Sequence, residues 1–255
     1  MSLWKQYLRQ GWWVAIGYFI ILESAMVAAI LYWPRFRDNM PAIAKLVPFR
    51  AIQDLLTSME HAGYWPYFAV QQWFKGCSLF GVAAIAFIGS GLIAREADQR
   101  TAEFLLSRPV SRRRILLVRH AMLTLMITLP VFISSISAIW ISQSVGEYIG
   151  WGEVLASSLF MSLFLWMLVS FTTIVSAYSI NQMTAGAAVV GLALVSFAMY
   201  LVEGINQWSP FALIDVRIFM AIHIGDYPWW IAGGFILASL AMLHFADRHF
   251  GRRDF

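Results

Sequence analysis

The sequence predicts an all-α integral membrane protein with six transmembrane helices, and three observations carry that prediction. Of 255 residues, 60% are hydrophobic and only 13% charged, with a mean hydropathy of +0.68. Soluble domains run about 45–50% apolar and about 25% charged. The apolar residues gather into runs long enough to cross a bilayer as helices of about 20 residues. Finally, the first half has a single long polar and basic interruption, Arg95 to His120, reading READQRTAEFLLSRPVSRRRILLVRH. A segment this charged cannot lie in hydrocarbon, so the chain leaves the membrane there, turns and re-enters. Six spans and their loops use up residues 1–255 as one domain, with no room for a separate soluble unit of about 100 residues.

Residues 1–10 mix Trp4, Lys5, Tyr7 and Arg9, a pattern that predicts a short helix in the headgroup layer. Span 1 is expected over about 11–33, flanked by Trp12 and Trp13 at one end and Tyr32 and Trp33 at the other. Glu23 falls near its middle, where a lone carboxylate should face protein or water. Residues 34–72 read as the longest outer loop. Within it Pro48 can open a short amphipathic helix with Phe49, Ile52, Leu56 and Met59 on one stripe. Trp65, Tyr67 and Trp73 are expected to hold this loop against the bilayer surface. The loop reads as a surface cap or as a lid over a pathway.

Span 2 is expected over about 73–94, with Lys75 snorkelling at its outer end. Its glycines at 76, 81, 89 and 91 allow close helix contact. Span 3 follows the polar turn over about 115–142, and Pro130 should bend it. Spans 4, 5 and 6 are expected over about 153–178, 184–203 and 229–246. A tight turn at 179–183 separates the first two. An outer loop at 204–228 carries Asp215, Arg217, His223 and Asp226. A basic tail ends the chain. Twelve of the 18 lysines and arginines fall on the inner side if both termini are cytoplasmic, most densely around the polar turn. The formal charge of +4 is therefore read as this inward bias and not as a nucleic-acid surface.

The sequence lacks the Gly-rich Lys-Ser/Thr loop that cradles ATP phosphates, the His-Glu-x-x-His zinc pair and the Gly-x-Ser-x-Gly nucleophile elbow. Its single cysteine, Cys77, sits in an apolar run as a small hydrophobe. His61, His120, His223, His244 and His249 are scattered without ligand spacing. A proton relay would want several acidic or histidine groups in series, and Glu23 stands nearly alone. These absences argue against a self-powered pump and against a membrane enzyme. They leave a conduit driven by something else.

The polar turn has the build of a coupling element. As a helix, residues 95–107 pair Glu96 with Arg100 at i, i+4, in the favourable acid-first order, and Glu103 with Arg100 at i, i+3. Ala97, Thr101, Phe104 and Leu105 form the opposite, apolar face. Pro109 stops or bends the helix. Ser111 can cap the next one, which opens with Arg112, Arg113 and Arg114 and runs into span 3. The same arginines equally suit anionic headgroups, so a helix that only seats on lipid is the alternative.

Glu96-x-x-x-Arg100-Thr101-x-x-x-Leu105-Leu106-Ser107-x-Pro109-Val110-Ser111-Arg112-x-x-Ile115 resembles the first cytoplasmic loop of ABC-2 type permeases. Their usual form has glycine where Arg100 stands and lysine where Arg119 stands. The resemblance implies a six-span, type V exporter-like permease with an N-terminal interfacial helix at 1–10 and a cytoplasmic coupling loop at 95–114. It implies partners: two copies of a cytoplasmic ABC ATPase subunit and a second permease, identical or sister, all in the cell membrane. ATP and Mg would be bound by the ATPase and no cofactor by this chain. By the same analogy Glu96, Arg100, Thr101, Glu103, Phe104, Leu105, Pro109 and Arg112 would serve ATPase coupling. The turn at 179–182 would be a second, smaller contact. A pathway lined by spans 1, 2 and 5 would then carry an amphipathic or hydrophobic substrate such as a peptide, drug or lipid, with Glu23 facing it or making an interhelical hydrogen bond. The competing function is a non-transporting membrane assembly or sensor protein whose basic loop binds lipid or a partner.

Overall fold

A computed structural model describes residues 3–44, 63–94 and 111–252, and every described element is helical. Seven helices are used below: α1 (Leu3–Ala44), α2 (Tyr64–Gly89), α3 (Arg112–Gln143), α4 (Trp151–Tyr178), α5 (Gln182–Leu201), α6 (Val216–His223) and α7 (Trp229–Arg252). All but the short α6 are long and apolar enough to cross a membrane, which gives six spans among the described residues.

α3 and α4 form the centre. α1 lies along α3, α7 along α4, and α2 passes between α1 and α4, with α5 leaning on α2 and α4. α1 and α3 run parallel, as the bonds from Ser137 to Glu23 and from Trp33 to Glu147 show. Residues 94 and 111 lie at one end of the bundle, called the loop end here; the opposite end is the far end. Glycine sets the closest approaches: a Cβ on Gly81 would stand 2.8 Å from Leu165, and one on Gly89 the same distance from Thr172. Helices in lipid gain little from burying apolar surface against each other, so close contact of this kind carries their association.

Helix boundaries differ from those expected. α1 is one uninterrupted helix from Leu3 to Ala44, so residues 3–10 are not set off as a separate interfacial helix. Pro34 does not end it: the helix runs through that position to Ala44. α2 begins at Tyr64, so residues 64–72, assigned to the loop, are the first turns of span 2. Lys75 therefore lies deep within α2 rather than at its end; it is exposed and reaches Gln71 at 3.4 Å. As expected, Arg112–Arg114 open the helix that continues as span 3, and Ser111 caps it by accepting from the Arg114 amide at 3.3 Å. Pro130 is buried inside α3, which continues through it. α7 runs on to Arg252 and absorbs most of the expected tail. The predicted amphipathic helix from Pro48 to Met59 lies outside the described residues.

The aromatic residues expected to anchor a loop on the bilayer surface are instead core. Trp65, Tyr67 and Trp73 are all buried, packed with Trp33, Phe68 and Phe219 at the far end. Their polar atoms explain how they fit: a buried indole or phenol needs a partner. Trp65 donates to the Phe219 carbonyl, Tyr67 to the Ala29 carbonyl, Trp73 to Ser135, and Tyr64 shares a 2.7 Å bond with Ser142. The cluster ties α1, α2, α3 and α6 into one block.

From this block toward the loop end, residues Val70–Phe80 of α2 wind as a π-helix. Ser78 donates to the Phe74 carbonyl and so competes for the acceptor that an α-turn would use. The wider winding brings the Gln71 carbonyl within 2.7 Å of where a Gly76 Cβ would be, so only glycine fits. Gly76→Ala should therefore destabilise by about 1–3 kcal/mol, read as a lower aggregation temperature of the detergent-solubilised protein. Gly17→Ala, with nothing within 4 Å of its Cβ, should be neutral or stabilising by roughly 0.5–1 kcal/mol.

Candidate functional site

The loop-end terminus of α2 leads directly into the polar turn, so how residues 89–94 are held decides what a push on that turn would move. After Gly89 regular winding gives way to looser turns, with bonds from Gly91 to Ile88 and from Leu92 to Gly89. The amides of Ile93 and Ala94 and the carbonyls of Ser90 and Leu92 then need partners elsewhere, because a buried backbone polar group left unpaired in a membrane bundle costs several kcal/mol.

α4 and α3 supply them. Ser176 Oγ accepts from the amides of Ile93 and Ala94 at 2.9 and 3.1 Å and donates to the Ser90 carbonyl at 2.9 Å. A hydroxyl has one proton and two acceptor sites, so this one is fully used. Arg119 Nη1 donates to the Leu92 carbonyl at 2.6 Å from a side chain that is buried. Gln182, at the start of α5, donates to the Phe87 carbonyl at 3.3 Å and lies against Gly91. Three helices thus grip one non-helical turn.

Beside this turn His120 cross-links α3 to α4. Trp166 Nε1 can only donate, so His120 Nε2 accepts at 3.0 Å; His120 Nδ1–H then donates to Thr173 Oγ1, also at 3.0 Å. Thr173 passes its own proton to the Val169 carbonyl at 2.7 Å. The chain of bonds requires a neutral imidazole in one tautomer. Nearer the end, Tyr178 stacks on His249 of α7 with ring centres 3.7 Å apart, and Arg113 reaches Asp247 at 3.4 Å. That ion pair is largely solvent-exposed on the arginine side and contributes little.

Of the residues predicted for coupling, Glu96, Arg100, Thr101, Glu103, Phe104, Leu105 and Pro109 lie outside the described residues. Arg112 opens α3 and is half-buried. The turn at 179–182 is among the described residues: Asn181 Oδ1 caps α5 by accepting from the Thr184 amide at 2.8 Å, and Tyr178, Ile180 and Met183 are exposed by 60%, 77% and 86%. Glu23 makes the interhelical bond expected as one of its two roles, accepting from Ser137 Oγ at 2.6 Å. Its other oxygen is buried with no partner, as is Gln72 Oε1, whose amide donates to Ser134 and Ser135. Ser137 stands in the last two turns of α3, so Glu23 lies nearer the far end than its place in span 1 suggested. Among the described residues no cluster of side chains could hold a metal ion.

The sequence pattern of the ABC-2 family transporter protein matches residues 4–210. The chain belongs to that family. No match is found among curated proteins. Membership makes it a multi-pass membrane component of an ABC transporter, the class that works with an ABC ATPase. In this ABC-2 permease sequence reasoning missed Ser176 and Trp166; it named His120 only among scattered histidines and Gln182 only as the end of the turn at 179–182. Arg119 was noted only as a charge entering span 3; its proximity to Leu92 is a tertiary fact.

Ser176→Ala would strand two amides and one carbonyl. The expected loss is about 1–3 kcal/mol or more, with faster hydrogen exchange confined to peptides covering residues 89–94. Ser144→Ala, which removes only an exposed bond to its own helix, should leave both readouts unchanged.

Proposed function

We propose that this chain is the permease subunit of an ATP-driven exporter of an amphipathic or hydrophobic substrate, coupled to a separate cytoplasmic ATPase through the loop that begins at Arg95. The observation that carries this reading is the grip of α3, α4 and α5 on the last turn of α2. A displacement delivered through residues 95–110 enters at Ala94 and Ser111 and is shared at once by four spans. A loop that merely rested on lipid would have no use for such a connection. Two ATPase copies and a second permease complete the assembly on this reading, with both termini on the ATPase side.

Glu96, Arg100, Thr101, Glu103, Phe104, Leu105 and Pro109 form the primary contact, and Arg112 fixes where it joins α3. The exposed Tyr178, Ile180 and Met183 at the same end supply an apolar second contact. Glu23, with one carboxylate oxygen buried and unpartnered, is the polar group offered to the pathway among spans 1, 2 and 5.

Reversing charge at Glu96, Arg100 and Glu103 together should abolish co-purification with the ATPase or uncouple its turnover from substrate, measured as ATPase activity of the complex in nanodiscs. If complex formation and turnover both survive, the coupling role is wrong. Ile180→Glu with Met183→Glu should weaken the same complex while leaving the permease monodisperse.

A further inference from the structure

Away from the turn at 89–94 lies a cleft of about 140 Å³ bounded by α2, α4 and α5, with Met242 of α7 on one side. Ile85, Phe164, Phe171, Val189, Ala193 and Met242 line it. It exists because α5 and α7 each pack on α4 but form no extensive contact with each other. Phe211 closes one end of the cleft, between α4 and α5. Ser209 donates to the Ser196 carbonyl at 2.7 Å and accepts from the Phe211 amide at 3.2 Å. This folds the turn Pro210–Ile214 back into the bundle, where the Phe211 ring wedges between Phe164 and Phe197 at 5.8 and 5.5 Å.

Three properties narrow what such a cleft can hold. Its lining is apolar, and water needs two or more polar partners to stay in a cavity. Its volume is close to the roughly 150 Å³ at which an apolar cavity takes up a ring of six carbons. Its position is the middle of the bilayer, because Phe164 is at the midpoint of α4. It is walled at the far end by Pro210 and Phe211 and opens sideways past Leu192, which is 49% exposed. An occupant must therefore be narrow, apolar, and able to slide in laterally from the leaflet on the loop-end side.

We propose that this cleft seats the terminal half-dozen carbons of one acyl chain of a bilayer phospholipid, entering between α5 and α7 with its headgroup toward the loop end. The lipid fills the gap that the Phe211 wedge leaves. It is a resident of the fold, distinct from any cargo moved between permease copies.

The test reconstitutes the full chain in phosphatidylcholine vesicles containing a trace of phosphatidylcholine with a diazirine on the distal half of one chain. After irradiation, adducts are mapped by mass spectrometry. The expected result is labelling at Met167, Phe171 and Met242 inside the cleft, lost in Ala193→Phe, whose ring fills it, while labelling of the exposed α7 residues Leu237 and Leu240 persists. Labelling confined to Leu237, Leu240 and similar exposed positions in the wild-type protein overturns the proposal. So does retention of the cleft adducts in Ala193→Phe. If that variant does not fold, Val189→Phe replaces it, and the wild-type map already decides between the first two outcomes.

Discussion

The structure depends most on one hydroxyl. Ser176 collects two amides and one carbonyl from the turn that ends α2. In water those groups would find other partners. Inside a membrane bundle they have none, so the turn can leave helical geometry only where a side chain from another helix meets it. Arg119 and Gln182 complete that arrangement from α3 and α5. A turn that is irregular, satisfied by its neighbours and placed next to a polar loop couples that loop to the bundle without a long lever.

The two ends of the molecule are held by different physics. At the far end, rings of Trp33, Tyr67, Phe68, Trp73 and Phe219 fill the space, and each buried indole or phenol there has a fixed acceptor or donor. Such packing resists small displacements because interiors are dense and nearly incompressible. At the loop end, hydrogen bonds from hydroxyl, guanidinium and amide groups dominate. These can be exchanged one at a time for similar bonds. The π-wound stretch Val70–Phe80 starts within the aromatic block, which includes its Trp73, and carries α2 toward the loop end.

The sequence announced the spans clearly because hydropathy over about 20 residues is a strong, local signal. It announced the Ser111 cap for the same reason: the cap concerns only the next three residues. It misplaced the ends of span 1 and span 2 because Pro34 reads as a stop and because Trp65, Tyr67 and Trp73 read as an interfacial belt. Only contacts with α1, α3 and α6 show that those rings point inward. The family motif at 96–115 was legible in the sequence, whereas the contacts that hold the turn at 89–94 were not. Ser176 is one of several serines in an apolar helix, and no spacing within α4 distinguishes it from Ser170 or Ser162.

The buried polar atoms near the far end sharpen what kind of conduit this is. Glu23, Gln72, Ser134, Ser135 and Ser137 meet across α1, α2 and α3. Glu23 Oε2 and Gln72 Oε1 have no hydrogen-bond partner there. A bundle built only to be stable would replace them with apolar side chains at little cost, since each buried polar group without a partner is unfavourable by about 1–3 kcal/mol. Their presence beside the aromatic block makes this the most polar part of the interface among α1, α2 and α3.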